Sequence, residues 1–194
     1  MSQKGLETRN VILNEAKELF IRKGFSAVTM SDVCEHTGLS RGGLYRHFAS
    51  VNDIFTALLT EDKDNWEIDL EKAINAGFPA KKMLSYYFQQ VCEDVAREGG
   101  RLSLAVYEYE RSGQDRDGYL RKRYGQAVDM MVRLLQYGQE RGEFQTFDAH
   151  TQAEHLVIFT DGLKMAGAGV PLAPETIKRQ LDRLYDTIER KENI

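Results

Sequence analysis

Proline occurs at only three of the 194 positions, Pro79, Pro171 and Pro174. No residue interrupts a helix more strongly, so long stretches of this chain are left free to coil. Apolar residues fill those stretches at helical spacing. Ile12, Ala16, Leu19 and Phe20 stand at i, i+4, i+7 and i+8, and Ile177, Leu181, Leu184 and Tyr185 repeat that order near the other end. Each set lines one face of a helix. The pattern predicts an all-α protein of about nine helices. Hydrophobic residues at 42% are enough for a real core, which excludes disorder as the main state. The sequence has no run of about 18 apolar residues, so no transmembrane helix is predicted. Met1 to Asn10 is polar and lacks the apolar segment of a signal peptide, which predicts a cytoplasmic protein. Cys34 and Cys92 form neither a disulfide framework nor a metal-ligand set, and read as reduced, buried thiols.

The formal net charge is −4, but the sign changes along the chain. Residues 1–50 hold seven Lys and Arg against five Asp and Glu, a net +2, which leaves −6 for the remainder. A small basic head on an acidic body points toward nucleic acid.

Within the head, Thr8 to Lys23 reads as a first helix, with Arg22 and Lys23 in its last turn and Gly24 after it. Thr29 is a good N-cap for a second, short helix, with Asp32 three residues on in a variant of the capping box. Gly38-Leu39-Ser40 then supplies a left-handed turn, a core leucine and a cap for a third helix. Helices joined in this way form a helix-turn-helix, although a helical hairpin of any all-α protein has the same outline.

The third helix reads Arg41-Gly42-Gly43-Leu44-Tyr45-Arg46-His47-Phe48. Leu44 and Phe48 are four apart and face the core. The other face carries hydrogen-bond donors and no carboxylate. Two glycines in the first turn cost a helix about 1 kcal/mol each relative to alanine. Close approach of the backbone to a DNA groove offsets that cost; so does tertiary packing. Arg41 stands where a recognition helix places base-reading residues, and its guanidinium suits a guanine edge. Tyr45, Arg46 and His47 suit phosphate contacts.

These residues resemble a known family. Thr29, Gly38-Leu39-Ser40 and Gly43-Leu44-Tyr45-Arg46-His47-Phe48 are similar to the DNA-binding domain of the TetR family of bacterial transcriptional regulators. Ala16-Lys17-Glu18-Leu19-Phe20 with Gly24-Phe25 is similar to that family's first helix. Arg141-Gly142-Glu143-Phe144 and Asp161-Gly162-Leu163 resemble its later signatures. The resemblance implies a DNA-binding domain at residues 1–50 and a ligand-binding and dimerisation domain at 51–194. It implies a homodimer on a pseudo-palindromic double-stranded operator, and repression relieved by a small molecule. By position, its DNA contacts fall on Thr29, Ser40, Arg41, Gly42, Gly43, Tyr45, Arg46 and His47. One departure is Val51, where the family often carries a phosphate-contacting lysine, which implies a weaker salt dependence of binding.

In the body, Ser50 and Asp53 cap a fourth helix, and Gly77-Phe78-Pro79 ends it. Helices are predicted from Met83 to Val95, Arg101 to Arg111 (apolar nearly all round, hence buried in the body), Tyr119 to Arg141, and from an Asp148 cap to about Met165. The small residues Ala166 to Gly169 read either as a close-approach surface or as a fraying end. The last helix carries the Ile177 to Ile188 stripe, which suits a dimer's four-helix bundle through the last two helices or packing within one chain. Trp66, Phe88, Tyr107, Met131 and Phe159 are candidates for lining a ligand pocket, or simply core. His150 and His155 lie about 140° apart around a helix, poor geometry for one metal ion. Neither a metal nor a cofactor site nor a catalytic arrangement is predicted. Two classes of function remain: a ligand-responsive DNA-binding repressor, and a small-molecule-binding protein or enzyme whose head does not read DNA.

Overall fold

The computed structural model describes residues 3–114 and 118–189; for 62–68, 98, 119 and 120 it describes the backbone alone. The described residues form nine α-helices: α1 Gln3–Lys23, α2 Met30–Thr37, α3 Arg41–Tyr45, α4 Val51–Asn75, α5 Ala80–Glu98, α6 Arg101–Arg111, α7 Tyr119–Glu140, α8 Ala149–Gly169 and α9 Pro174–Asp186. Their contacts divide into two units. One holds α1–α3, α4 up to Asn65, and α6; the other holds α4 from Trp66, α5 and α7–α9.

The first unit is built on Ile12, Ala16, Leu19 and Phe20, the stripe of α1, all buried. Helix α1 starts at Gln3, five residues before the expected Thr8. Thr8 does not cap a helix here: its hydroxyl donates back to the Lys4 carbonyl within one (2.9 Å). The unit's centre is aromatic. Phe55 of α4 meets Phe20 at 4.6 Å and Phe25 at 4.9 Å between ring centroids. Tyr109 of α6 closes the group, 5.0 Å from Phe25 and 5.3 Å from Phe55. Such pairs add about 0.5–1.5 kcal/mol each beyond their buried area.

Helix α6 therefore does not lie buried among the body helices, as its composition predicted. It packs on α1, with Leu104 and Tyr107 exposed on its far side. The apparent all-round hydrophobicity came from Leu104 and Tyr107, two positions that tolerate solvent. Its Glu108 carboxylate accepts from the Ser26 N–H (3.3 Å), beside Gly24 at φ +75°.

The second unit has α7 packed along α8, and α5 against α7, α8 and α9. Asp148 caps α8 as expected, accepting from the Thr151 N–H (2.6 Å). The helix runs on to Gly169 rather than ending near Met165. Close approach decides this: a Cβ on Gly167 would lie 2.7 Å from Val95 Cγ1, so the small residues admit the end of α5. Ile177, Leu181 and Leu184 of α9, with Ile188 just after it, are buried within their own chain, in the core shared with α5, α7 and α8.

Arg141-Gly142-Glu143-Phe144 has a structural explanation. Gly142 turns the chain at φ +69°. Glu143 then accepts from the Lys81 N–H at the start of α5 (3.0 Å) and pairs with Arg141 (2.5 Å). Burial opposes ionisation of Glu143, but these donors outweigh it and hold its carboxyl below the usual range. Phe144 is buried against Gly138 and forms an antiparallel bridge with Glu189, which follows α9.

Two left-handed glycines separate backbone strain from crowding. At Gly113 (φ +71°) a Cβ meets nothing within 4 Å; at Gly100 (φ +64°) it would lie 1.8 Å from the Lys164 carbonyl oxygen. Gly113→Ala is expected to cost about 1–2 kcal/mol, the left-handed penalty alone. Gly100→Ala is expected to cost clearly more in the same thermal or urea unfolding experiment. Equal losses would remove the contact with Lys164 from the account.

Candidate nucleic-acid interface

The segment from Thr29 to Phe48 is set by three short-range interactions. The Thr29 hydroxyl accepts from the Asp32 N–H (3.2 Å) while Asp32 accepts from the Thr29 N–H (2.8 Å), a complete capping box. Gly38 ends α2 at φ +69°, the left-handed conformation that needs no Cβ. Ser40 caps α3 by accepting from the Gly43 N–H (3.2 Å). Helix α3 has only five residues and ends at Tyr45, not Phe48. The N–H groups of His47 and Phe48 both close on the Leu44 carbonyl (2.9 and 3.1 Å), which tightens the last turn.

Leu44 and Phe48 are buried and turn one side of α3 inward. Ser40, Arg41, Gly42, Tyr45 and Arg46 are exposed; Gly43 and His47 are partly covered. Seven of the eight predicted contact residues therefore lie in one continuous segment. Thr29 begins α2 instead, and its hydroxyl is engaged twice by Asp32, as acceptor and as donor (2.7 Å to Oδ2). Arg41 donates from Nη2 to the Ser31 hydroxyl of α2 (3.0 Å). Arg22 meets His36 at 2.5 Å, and Lys23 pairs with Asp32 (2.6 Å). Lys23, together with the Thr29 hydroxyl and amide, lowers the Asp32 carboxyl from 3.8 to about 2. Ser31 escaped the sequence reading as a partner of Arg41 because it belongs neither to the turn nor to α3; only the fold brings the two together.

Of the body candidates, Phe88, Met131 and Phe159 lie in the second unit and Tyr107 in the first. Phe88 and Met131 are buried in the core of the second unit, Phe88 between Tyr87 and Tyr185 at 5.8 and 6.3 Å. Phe159 is half-buried against that core. Tyr107 is exposed on α6 in the first unit. The side chain of Trp66 lies outside the described residues. A polar pair was missed: the Tyr87 hydroxyl meets the buried Thr160 hydroxyl at 2.8 Å, and Thr160 donates to the Leu156 carbonyl (2.9 Å). Burial pushes the Tyr87 phenol up to about 12. The one available signal was a threonine on the apolar side of α8.

Residues 12–58 match the family described as "Bacterial regulatory proteins, tetR family", and residues 83–178 match "Tetracyclin repressor-like, C-terminal domain". The HTH-type transcriptional regulator YfiR of Bacillus subtilis (strain 168) is 33% identical over 156 residues, which cover 78% of this chain and 76% of that protein. The chain belongs to the TetR family. It is a DNA-binding transcriptional regulator and not an enzyme. The A-factor receptor protein of Streptomyces griseus is 26% identical over 167 residues, covering 84% of this chain and 55% of that protein. Among solved structures, "Molecular basis for control of antibiotic production by a bacterial hormones" superposes with a TM-score of 0.79 at 20% identity, covering 98% of this chain and 100% of that one. That likeness is one of fold. Among the described residues no helix is long and apolar enough to cross a membrane.

Within this TetR-family head, Gly42 has no conformational reason to be glycine. Its φ is not positive, and a Cβ there meets nothing within 4 Å. Gly42→Ala is expected to raise stability by up to about 1 kcal/mol, the helix-propensity difference, and to weaken DNA binding. Unfolding curves and operator binding measured on the same preparation check both; unchanged binding removes DNA contact as the reason for this glycine.

Asp32 gives a pH prediction. Its carboxyl lies lower in the folded state (about 2) than its ordinary 3.8. Its stabilising contribution is therefore complete above the ordinary value and is lost as pH falls toward 2. The stability gap between the wild type and Asp32→Asn is expected to be flat from neutral pH to about 5 and to shrink below 4. A gap independent of pH in urea titrations would exclude the Lys23–Asp32–Thr29 network as its source.

Proposed function

We propose that the chain acts in the cytoplasm as a homodimer on a pseudo-palindromic operator, with α3 of each copy in the major groove. Residues 1–50 are the DNA-binding domain; residues 51–194 bind the effector and the second copy. Ser40, Arg41, Gly42, Gly43, Tyr45, Arg46 and His47, with Thr29 at the start of α2, make the contacts. The observation that carries this reading is the outer side of α3: exposed donors, no carboxylate, and a glycine that the fold itself does not require. Arg41 reads a base edge, and Tyr45, Arg46 and His47 hold phosphates. Val51 begins α4 where many relatives carry a lysine, so one phosphate contact is missing.

The outward face of α8 supports dimerisation through the last two helices. Ile158 is exposed, and Gly162, Ala166 and Gly169 continue its line at i+4, i+8 and i+11. Such a line lets a second backbone come close. The outer face of α9 carries both signs of charge, among them Lys178 paired with Asp182 (2.7 Å), as a self-complementary two-fold contact requires. The apolar stripe of α9 takes no part, since its own chain buries it. A small molecule bound in the body releases the operator.

The test is binding of the purified protein to the DNA upstream of its own gene, as a salt series with nonspecific competitor. Binding that survives competitor and falls steeply with salt is expected, with twice the chain mass in sedimentation. Arg41→Ala is expected to weaken it by about 1–3 kcal/mol. A single-chain mass on DNA would overturn the dimer, and a variant that binds as the wild type does would overturn the role of Arg41. Once an operator is in hand, release from it assays effectors.

A further inference from the structure

Arg41 is a long, flexible side chain on the outer side of α3, and a free arginine loses substantial rotamer entropy when it is pinned against a base. In the unbound protein it is already held, because its Nη2 donates to the Ser31 hydroxyl across the turn (3.0 Å). Ser31 in turn sits on a braced platform. It occupies the first turn of α2, between Thr29 and Asp32, whose capping box is complete and whose carboxylate is tied to Lys23 on α1. Ser31 is exposed, it does not cap α2, and no other side chain engages it among the described residues. The guanidinium has five N–H donors, so one bond to Ser31 leaves a pair on the same end for the O6 and N7 acceptors of a guanine.

We propose that Ser31 is a positioning residue for Arg41: its hydroxyl sets the direction of the guanidinium before DNA arrives, and so sharpens the base preference that Arg41 imposes. The inference rests on the reading of Arg41 as the base-contacting residue. It adds a residue of α2 that contributes to sequence discrimination without touching a base. The gain is one of preorganisation, because entropy lost in the free protein is not lost again on binding.

The experiment is selection from a library randomised across the operator half-site, with the full-length wild type, Ser31→Ala, Ser31→Thr and Arg41→Ala. Melting temperatures and salt slopes are measured on the same proteins. Arg41→Ala is expected to lose roughly 5- to 150-fold of preference at the base pair it reads. Ser31→Ala is expected to lose roughly 2- to 10-fold at that same base pair, the value of one hydrogen bond. Preferences elsewhere, the salt slope and the melting temperature stay unchanged, and Ser31→Thr, which keeps the hydroxyl, retains the preference. If Ser31→Ala keeps the preference that Arg41→Ala loses, positioning is overturned while the reading of Arg41 stands. Uniform weakening on all sequences with a shallower salt slope makes Ser31 a phosphate contact and likewise overturns positioning. If Arg41→Ala loses no preference, or the wild type has none, both ideas fall together.

Discussion

A five-residue helix is not stable by itself, because nucleating its first turn costs more than its few hydrogen bonds return. Helix α3 exists because Leu44 and Phe48 are buried in the head and because Ser40 satisfies an amide of its first turn. That dependence shapes everything on its outer side. Once packing holds the helix, the exposed positions need not favour helix formation, and they carry glycine, arginine and tyrosine. The two glycines, poor choices for an isolated helix, are tolerable only in one whose stability comes from the opposite face.

The same division between a holding face and a working face recurs in the body. The stripe of α9 goes into its own core, and what remains outside is charged. Helix α8 is apolar on both sides: Leu156 and Val157 are buried, while Ile158 is exposed. Its line of small residues serves two contacts, with Gly167 admitting the end of α5 and Gly162 and Ala166 facing outward. The turn at Arg141–Phe144 gathers α5, α7 and the chain after α9 through one carboxylate and one buried ring.

Much of the head was legible because its signals are local. A capping box spans four residues, and a left-handed glycine followed by a serine cap spans three. Both were read correctly from Thr29, Asp32, Gly38 and Ser40. Helix ends without a cap were read less well. Helix α1 began early because Gln3, Lys4, Leu6 and Glu7 are good helix formers around the single Gly5, and α8 continued because contacts with α5 sustain it past two glycines. The pocket candidates were chosen as large apolar residues, and composition cannot separate a wall from a core. Phe88 and Met131 lie in the buried core of the second unit, and Tyr107 lies exposed in the first.

By itself the sequence determined the helices, the helix-turn-helix and the family, since periodicity, caps and motif spacing act over a few residues along the chain. Tertiary structure alone decided the company that α6 keeps, the burial of the α9 stripe, the need for glycine at Gly100 and Gly167, and the bond from Arg41 to Ser31. Each of these depends on which surfaces meet. Residues far apart in the chain become neighbours only when a whole core is packed, and no local pattern carries that information.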